Sequence, residues 1–441
     1  MEPQPRLGLA ALTRLAYSGA DLHLLESELA AQYAGGTASA STLMDLSVIT
    51  QLLGHAEQGL YWQSLALDAC RVYRTHRTGP ARRRVLVYAA PIHMGGNTPI
   101  EFLLPGDTFD IVTYYLGSET PARDAYRLPP HDVAFCAMPA DAENAEAAWE
   151  TVRFMSRNSG VQVLNLPETL IKPERDTLPD LLQDVPGVHV PRTLRLGRDT
   201  LCAMLRDGTG SGLLDAAIGT YPFVCRPVGS HAGLGLEKID TPADFQAYLN
   251  RRDEAEFYVS EFIDYATRSD GRFRKFRVVV IGGQAFACHM AIADQWDVWY
   301  LNSDMSASED KRREEAQFMQ SFPEAFGARH AAAFDAMAER LGLDYFGLDC
   351  TEDAEGNLVV FEVDNALIVH DMDCKTTFPY KEAHMQKLFA AFEGMLEAHC
   401  PPEAQHFGPV LPDEASVTAS RTAALPGSSP VRAGPARRRV S

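Results

Sequence analysis

Apolar residues change their spacing along the 441 positions of this chain. From residue 7 to about residue 76 they recur at helical intervals, as at Leu43, Leu46, Ile49, Leu52 and Leu53, and no proline interrupts them. Gly19, Gly35, Gly36, Gly54 and Gly59 fall where turns belong, so residues 1–79 are expected to form a module of about four short helices. After Thr78-Gly79-Pro80 the period becomes that of strands: Arg84–Ala89, Phe109–Tyr115, Val133–Ala137 and Val161–Asn165, with a helical stretch over Glu143–Arg157. That alternation predicts a parallel α/β unit over residues 80–190. A second α/β region over residues 191–400 is predicted from strands at Tyr221–Arg226, Phe257–Asp264 and Arg274–Val280, and from a closing helix Lys381–His399. Residues 401–441 are rich in Pro, Ala and Ser and are expected to be disordered.

The sharpest pattern lies at Leu343–Ala366. Two strand-like runs, Tyr345–Asp353 and Leu358–Asp364, flank Ala354-Glu355-Gly356-Asn357, a tight-turn sequence. Centring the turn on Glu355-Gly356 sets Asp349 opposite Glu362. Period-two alternation then puts Val360, Glu362 and Asp364 on one face and Val359, Phe361 and Val363 on the other. Like charges facing each other destabilise a sheet, so three carboxylates in an apolar hairpin call for a cation. Their hard oxygens suit Mg2+ or Mn2+ better than zinc. Upstream, the strand ending at Arg226 and Pro227 opens into Val228–Leu236, VGSHAGLGL, whose glycines let backbone amides face an anion. The loop Ala90–Thr98 follows the first strand of the α/β unit, where such folds place ligands, but it lacks the GxGxxG of a dinucleotide site.

Composition narrows the partners. The formal net charge of −19 argues against broad nucleic-acid binding, so an anionic ligand needs a locally basic site. No segment reaches the roughly 18 uninterrupted apolar residues of a membrane span. Eight cysteines without CxxC spacing read as free thiols, and the protein is expected to be cytoplasmic.

The Gly-rich loop, the strand Phe257–Asp264, the basic strand Arg274–Val280 and the acidic hairpin, in that order, resemble the ATP-grasp superfamily, most closely its RimK-like and glutathione-synthetase-like carboxylate–amine ligases. The resemblance covers residues 82 to 400 and implies an α/β (α+β) fold with a pre-ATP-grasp domain over 80–190 and a two-subdomain ATP-grasp domain over 191–400. It implies ATP and Mg2+ (or Mn2+) as cofactors. Arg226 and Lys238 would meet the phosphates under a lid carrying Gly229, Ser230, Gly233 and Gly235, with Arg175 or Lys172 as a further cation. Glu261, Phe262 and Ile263 would flank adenine, with Asp264 near the ribose. Asp349, Glu362 and Asp364 match the metal carboxylates. Arg226 stands where relatives usually have lysine, Thr177 departs from an Asp-Lys pattern, and Asp364 replaces an asparagine. The helical module loosely resembles tetratricopeptide helix pairs. These are too few to stand alone, so the module should dock on the rest of the chain, on a second copy or on a protein partner.

The implied chemistry is attack of a carboxylate on the γ-phosphate, then capture of the acyl phosphate by an amine. The substrates would be amino acids, small peptides or a peptide precursor. Arg277 is the expected stabiliser of developing charge, with Lys275 beside it on the same face. His289, Asn302 and His370 are weaker substrate-side candidates. A small-molecule kinase and a nucleotide-binding scaffold acting through the helices are the alternatives.

Overall fold

The computed structural model describes residues 2–75, 81–117, 128–140, 145–168, 173–207, 217–230 and 233–402, with Gly212 and Leu214. Thr78-Gly79-Pro80, Lys172, His231, Ala232 and the tail from residue 403 lie outside the described residues.

The N-terminal region carries β1 (Gln4–Arg6), α1 (Leu9–Tyr17), α2 (Leu22–Ala34), α3 (Ala40–Leu52), α4 (Ala56–Ala69) and β2 (Val72–Thr75). Asp21 caps α2 through the amides of His23 and Leu24, and Ser39 caps α3 through Thr42, two helix starts written locally in the sequence. The first helix is capped differently: its N-cap is Gly8, and the carboxylate of distant Glu101 accepts the Ala10 amide at 3.0 Å. Both flanking strands join the sheet of the next unit, so the helices are stitched to it at each end. That sheet runs β1-β2-β4-β3-β5-β6, with β3 (Arg83–Ala89), β4 (Phe109–Tyr115), β5 (Val133–Cys136) and β6 (Val163–Leu164) mutually parallel.

Strands β3 to β5 are apolar on both faces because both are covered. Trp149, Val152 and Met155 of the helix Ala145–Ser159 pack on Leu86, Tyr88 and Val112. On the other face Val85, Val87, Ile111 and Phe135 meet Leu388, Phe389 and Phe392 of the helix Lys381–Glu397, which also covers Val279, Ile281 and Cys288 of a second sheet. One core thus joins the first sheet to the second, whose order is β13-β12-β14-β15-β7. Its strands are β7 (Val188–His189), β12 (Phe273–Ile281), β13 (Gln284–Ala293), β14 (Tyr345–Glu352) and β15 (Leu358–Asp364). The third sheet, antiparallel β10-β9-β11-β8, keeps a core of its own around Phe223, Phe245, Tyr248 and Phe257. Its strands are β8 (Thr193–Gly197), β9 (Phe223–Pro227), β10 (Glu237–Ile239) and β11 (Glu256–Glu261). Among the described residues no helix is long and apolar enough to cross a membrane.

The hairpin reaches the expected pairing by an unexpected route. Near the turn the pairs are Glu352 with Leu358, Thr351 with Val359 and Cys350 with Val360, one residue tighter than a turn centred on Glu355-Gly356 gives. Asp353 closes that turn by accepting the Glu355 and Asn357 amides at 3.0 and 2.8 Å. A β-bulge at Phe361 then restores Asp349 to Glu362. The expected faces are corrected accordingly: Val360 lies with Leu358 and Val363 in the apolar core, and only Glu362 and Asp364 share the other face.

Candidate active site

Four strands place a row of titratable groups side by side: His289 on β13, Arg277 on β12, Asp349 on β14 and Glu362 on β15. The ladder is irregular at two places in this row, between Arg277 and Val278 and between Asp349 and Cys350. Two facing carboxylates repel, and the structure answers with cations from three positions. Arg277 binds Asp349 bidentately, Nε to Oδ1 at 2.8 Å and Nη2 to Oδ2 at 3.1 Å, and Lys275 reaches Oδ2 at 3.0 Å. Arg175 donates to Glu362 at 2.7 Å and to the carbonyl of the bulged Phe361 at 3.0 Å. Burial opposes the charge on Asp349, but Arg277 and Lys275 outweigh it and hold its carboxyl well below the usual range. Burial likewise works against Glu362, and Arg175 leads the cations that bring it below its ordinary value. His289 is neutral at pH 7, because burial and then Arg277 and Lys381 push its pKa well down.

The Gly-rich loop meets this row across a cleft. Gly229, Ser230 and Tyr258 from the four-stranded sheet, Arg175, and Glu362, Asp364 and Asn365 from the hairpin line one cavity of about 960 Å³, counting space open to solvent. Phe223 and Cys225 of β9 fill that sheet's core, so the alternate residues Val224 and Arg226, with their cross-strand partners Lys238, Ser260 and Tyr258, take the opposite face. Arg226 is buried there, and burial and Arg175 lower its pKa to about 10. Its guanidinium is turned onto Ser230, donating to the hydroxyl at 3.0 Å and to the carbonyl, so it holds the loop rather than pointing freely into the cleft. Lys238 pairs with Asp240 at 2.8 Å and lies 4.6 Å from the Phe262 ring, whose edge meets Trp296. Ile263 is half-buried in the segment that leads from β11 to β12. Glu261 sits 3.7 Å from His189, and Asp264 accepts the Ala266 amide in a local turn.

Asn302 is engaged locally: its side chain accepts the Trp299 amide at 2.9 Å and donates to the Asp297 carbonyl at 3.2 Å, closing its own 3-10 turn. His370 packs between Tyr17 and Phe102, on the side of the helical module. A cluster beyond Arg277 escaped the sequence reading. Buried Lys381 contacts Asp373 at 2.8 Å, Glu315 at 3.3 Å and the Tyr300 hydroxyl at 2.5 Å. Glu315 also accepts from Tyr380 at 2.5 Å and from the Met290 amide at 3.1 Å, and the Tyr300 ring lies 4.7 Å from that of His289, tilted at 49°. Its only sequence signal was the spacing of Lys311, Glu315 and Met319, buried at four-residue intervals in an otherwise charged helix.

No three His, Cys, Asp or Glu side chains among the described residues converge as a metal cage, and Asp349 and Glu362 are instead paired with cations. The donor set nonetheless fits a hard divalent ion: Asp349 faces Glu362, and Glu362 shares the cleft with Asp364, whose carboxylate also accepts the Ala366 amide at 2.8 Å.

No family model and no curated protein matches the chain. Similar solved structures are ATP-grasp ligases. A RimK-domain ATP-grasp protein from Sphaerobacter thermophilus is 16% identical, with a TM-score of 0.39 over 71% of this chain and 99% of its own. The D-alanine–D-alanine ligase from Coxiella burnetii is 12% identical, with a TM-score of 0.43 over 77% and 98%. The ATP-grasp ligase PsnB, solved with its precursor peptide PsnA2 and AMPPNP, is 16% identical, with a TM-score of 0.37 over 73% and 100%. Likenesses of this size bear on no residue's role, and the functional reading rests on the site itself.

Proposed function

We propose that the chain is an ATP-grasp carboxylate–amine ligase, forming an amide through an acyl phosphate on an amino acid, small peptide or peptide precursor. The observation that carries this reading is the shared cavity: a Gly-Ser loop able to cradle phosphate faces two hairpin carboxylates across a cleft that also holds Arg175. Phosphoryl transfer asks a protein for positioning and charge stabilisation more than for a nucleophile, and this cleft offers cations and carboxylates. Asp349, Glu362 and Asp364 would hold Mg2+ or Mn2+, which when bound neutralises phosphate charge. Arg277 and Lys275, released from Asp349, would then face the charge that develops at the acyl group, and Arg175, released from Glu362, a phosphate. Backbone groups of Glu261, Phe262 and Ile263 would flank adenine, with Asp264 near the ribose and Lys238 at the cleft rim. Neutral His289 lies beside Arg277 without adding to its charge.

The test is ADP release with Mg2+ across a panel of amino acids and dipeptides, with mass spectrometry of the products. An amide product supports the reading. ADP release that yields only a phosphorylated acid replaces it with a kinase, and nucleotide binding without turnover replaces it with a scaffold.

A further inference from the structure

The helical module is fixed against the α/β unit by groups that leave it little freedom. Arg6 and the Ala10 amide both end on Glu101, and Gln51 and Gln63 bind the Met94 amide and the Ile92 carbonyl, while within the module the Leu7 and Gly8 amides end on Asp45. Helix α1 carries Arg14 and Tyr17 three residues apart, hence on one face. That face meets the loop that follows the acidic hairpin. Arg14 Nη2 lies 3.3 Å from Asp371 Oδ1, and the Tyr17 ring meets His370 edge-on with centroids 5.8 Å apart. From the other side Arg277 donates to the Ile368 carbonyl at 3.2 Å and Lys381 holds Asp373 at 2.8 Å. One loop therefore runs from the cation of the proposed acyl-transfer row to the helical module. Tyr17 and Ile368 stay 59% and 45% exposed, leaving apolar surface uncovered beside two carboxylates.

We infer that the module forms one wall of the acceptor site, with Tyr17 and Arg14 as specificity-determining residues for a primary amine bearing an apolar or aromatic group. This rests on the ligase reading for its place in the reaction, though not for the binding itself. The ammonium group takes Asp371 in place of Arg14, and the apolar group lies against Tyr17 and His370. Displacing Arg14 costs little, since its side chain is 41% exposed and water replaces the contact it gives up. A cation placed beside a carboxylate also keeps its charge compensated.

Calorimetric binding of phenethylamine and ethylamine to the full chain, with Mg2+ and a non-hydrolysable ATP analogue present, tests this. Phenethylamine is expected to bind at least fivefold tighter than ethylamine. Tyr17→Ala should erase that preference, and Arg14→Ala should tighten both amines about threefold, a direction that a purely structural role for the contact does not produce. Affinity for the nucleotide analogue should stay within twofold, reporting an intact fold. Equal binding of the two amines, no binding of either, or a preference unchanged in Tyr17→Ala overturns the inference. If the preference holds but no amide ever forms, the ligase reading fails alone; if amides form without the preference, this inference fails alone.

Discussion

One cluster of arginine and carboxylate sits at the module interface and another in the cleft, and the two are built differently. At the module interface Arg6 and Glu101 are 5% and 8% exposed, and backbone donors join the side chains of Arg6 and Thr75 on the carboxylates: the Ala10 amide on Glu101, the Leu7 and Gly8 amides on Asp45. Backbone donors cannot swing away, and Glu101 also sits at the N-terminus of α1, where a negative charge is favoured. In the cleft Asp349 and Glu362 are met almost wholly by side chains, Lys275, Arg277 and Arg175, each able to rotate towards another anion. The first cluster locks two units together. The second is held by side chains, beside the Gly-rich loop and a sheet that keeps a core of its own. Burial of an ion pair does not by itself distinguish the two; the nature of the remaining donors does.

Breaking the locked cluster should produce the largest loss of stability. Glu101→Ala leaves Arg6 buried without its carboxylate and uncaps α1, so urea unfolding should show a loss of about 3–5 kcal/mol, with nucleotide affinity of the folded protein nearly unchanged. A loss under about 1 kcal/mol would mean that the interface does not depend on this pair.

The exchangeable cluster should show itself in acid. Asp349 and Glu362 have folded pKa values below their ordinary 3.8 and 4.5, so the stability they contribute is present above those values and is lost as pH falls through the folded ones. Wild-type stability should therefore drop by about 1 kcal/mol more than that of Asp349→Asn between pH 7 and pH 3. Parallel pH profiles would contradict the pairing.

A finer contrast separates two lid glycines. Gly233 and Gly235 both have positive φ, but a Cβ at Gly235 would stand 2.7 Å from the Pro227 ring, while at Gly233 nothing lies within 4 Å. Gly235→Ala should cost about 2 kcal/mol and Gly233→Ala about 1 kcal/mol, measured by chemical unfolding. Equal costs would mean that the packing of Gly235 on Pro227 is slack.

Local signals carried the sequence reading a long way. The strands Phe109–Tyr115 and Leu358–Asp364 are observed at their expected bounds, because their apolar patterns are short and unbroken. The pairing of Asp349 with Glu362 was legible as well, although a tighter turn and a bulge reach it together, and no propensity marks Phe361 as the bulged residue. What remained hidden is non-local. Glu101 capping α1 spans 91 residues, and Lys381 binding Glu315 joins two helices that are far apart in the chain. The turn of Arg226 onto Ser230 depends on loop geometry that composition does not encode.

The claim that the cleft carboxylates serve a metal-bound nucleotide is tested most directly by calorimetric titration of ATP, with and without Mg2+, into the wild type and Glu362→Gln. The account predicts that Mg2+ tightens ATP at least tenfold in the wild type, about 1.4 kcal/mol, and that this gain disappears in the variant. Equal affinity with and without Mg2+ in the wild type, or a gain fully retained in Glu362→Gln, would contradict it.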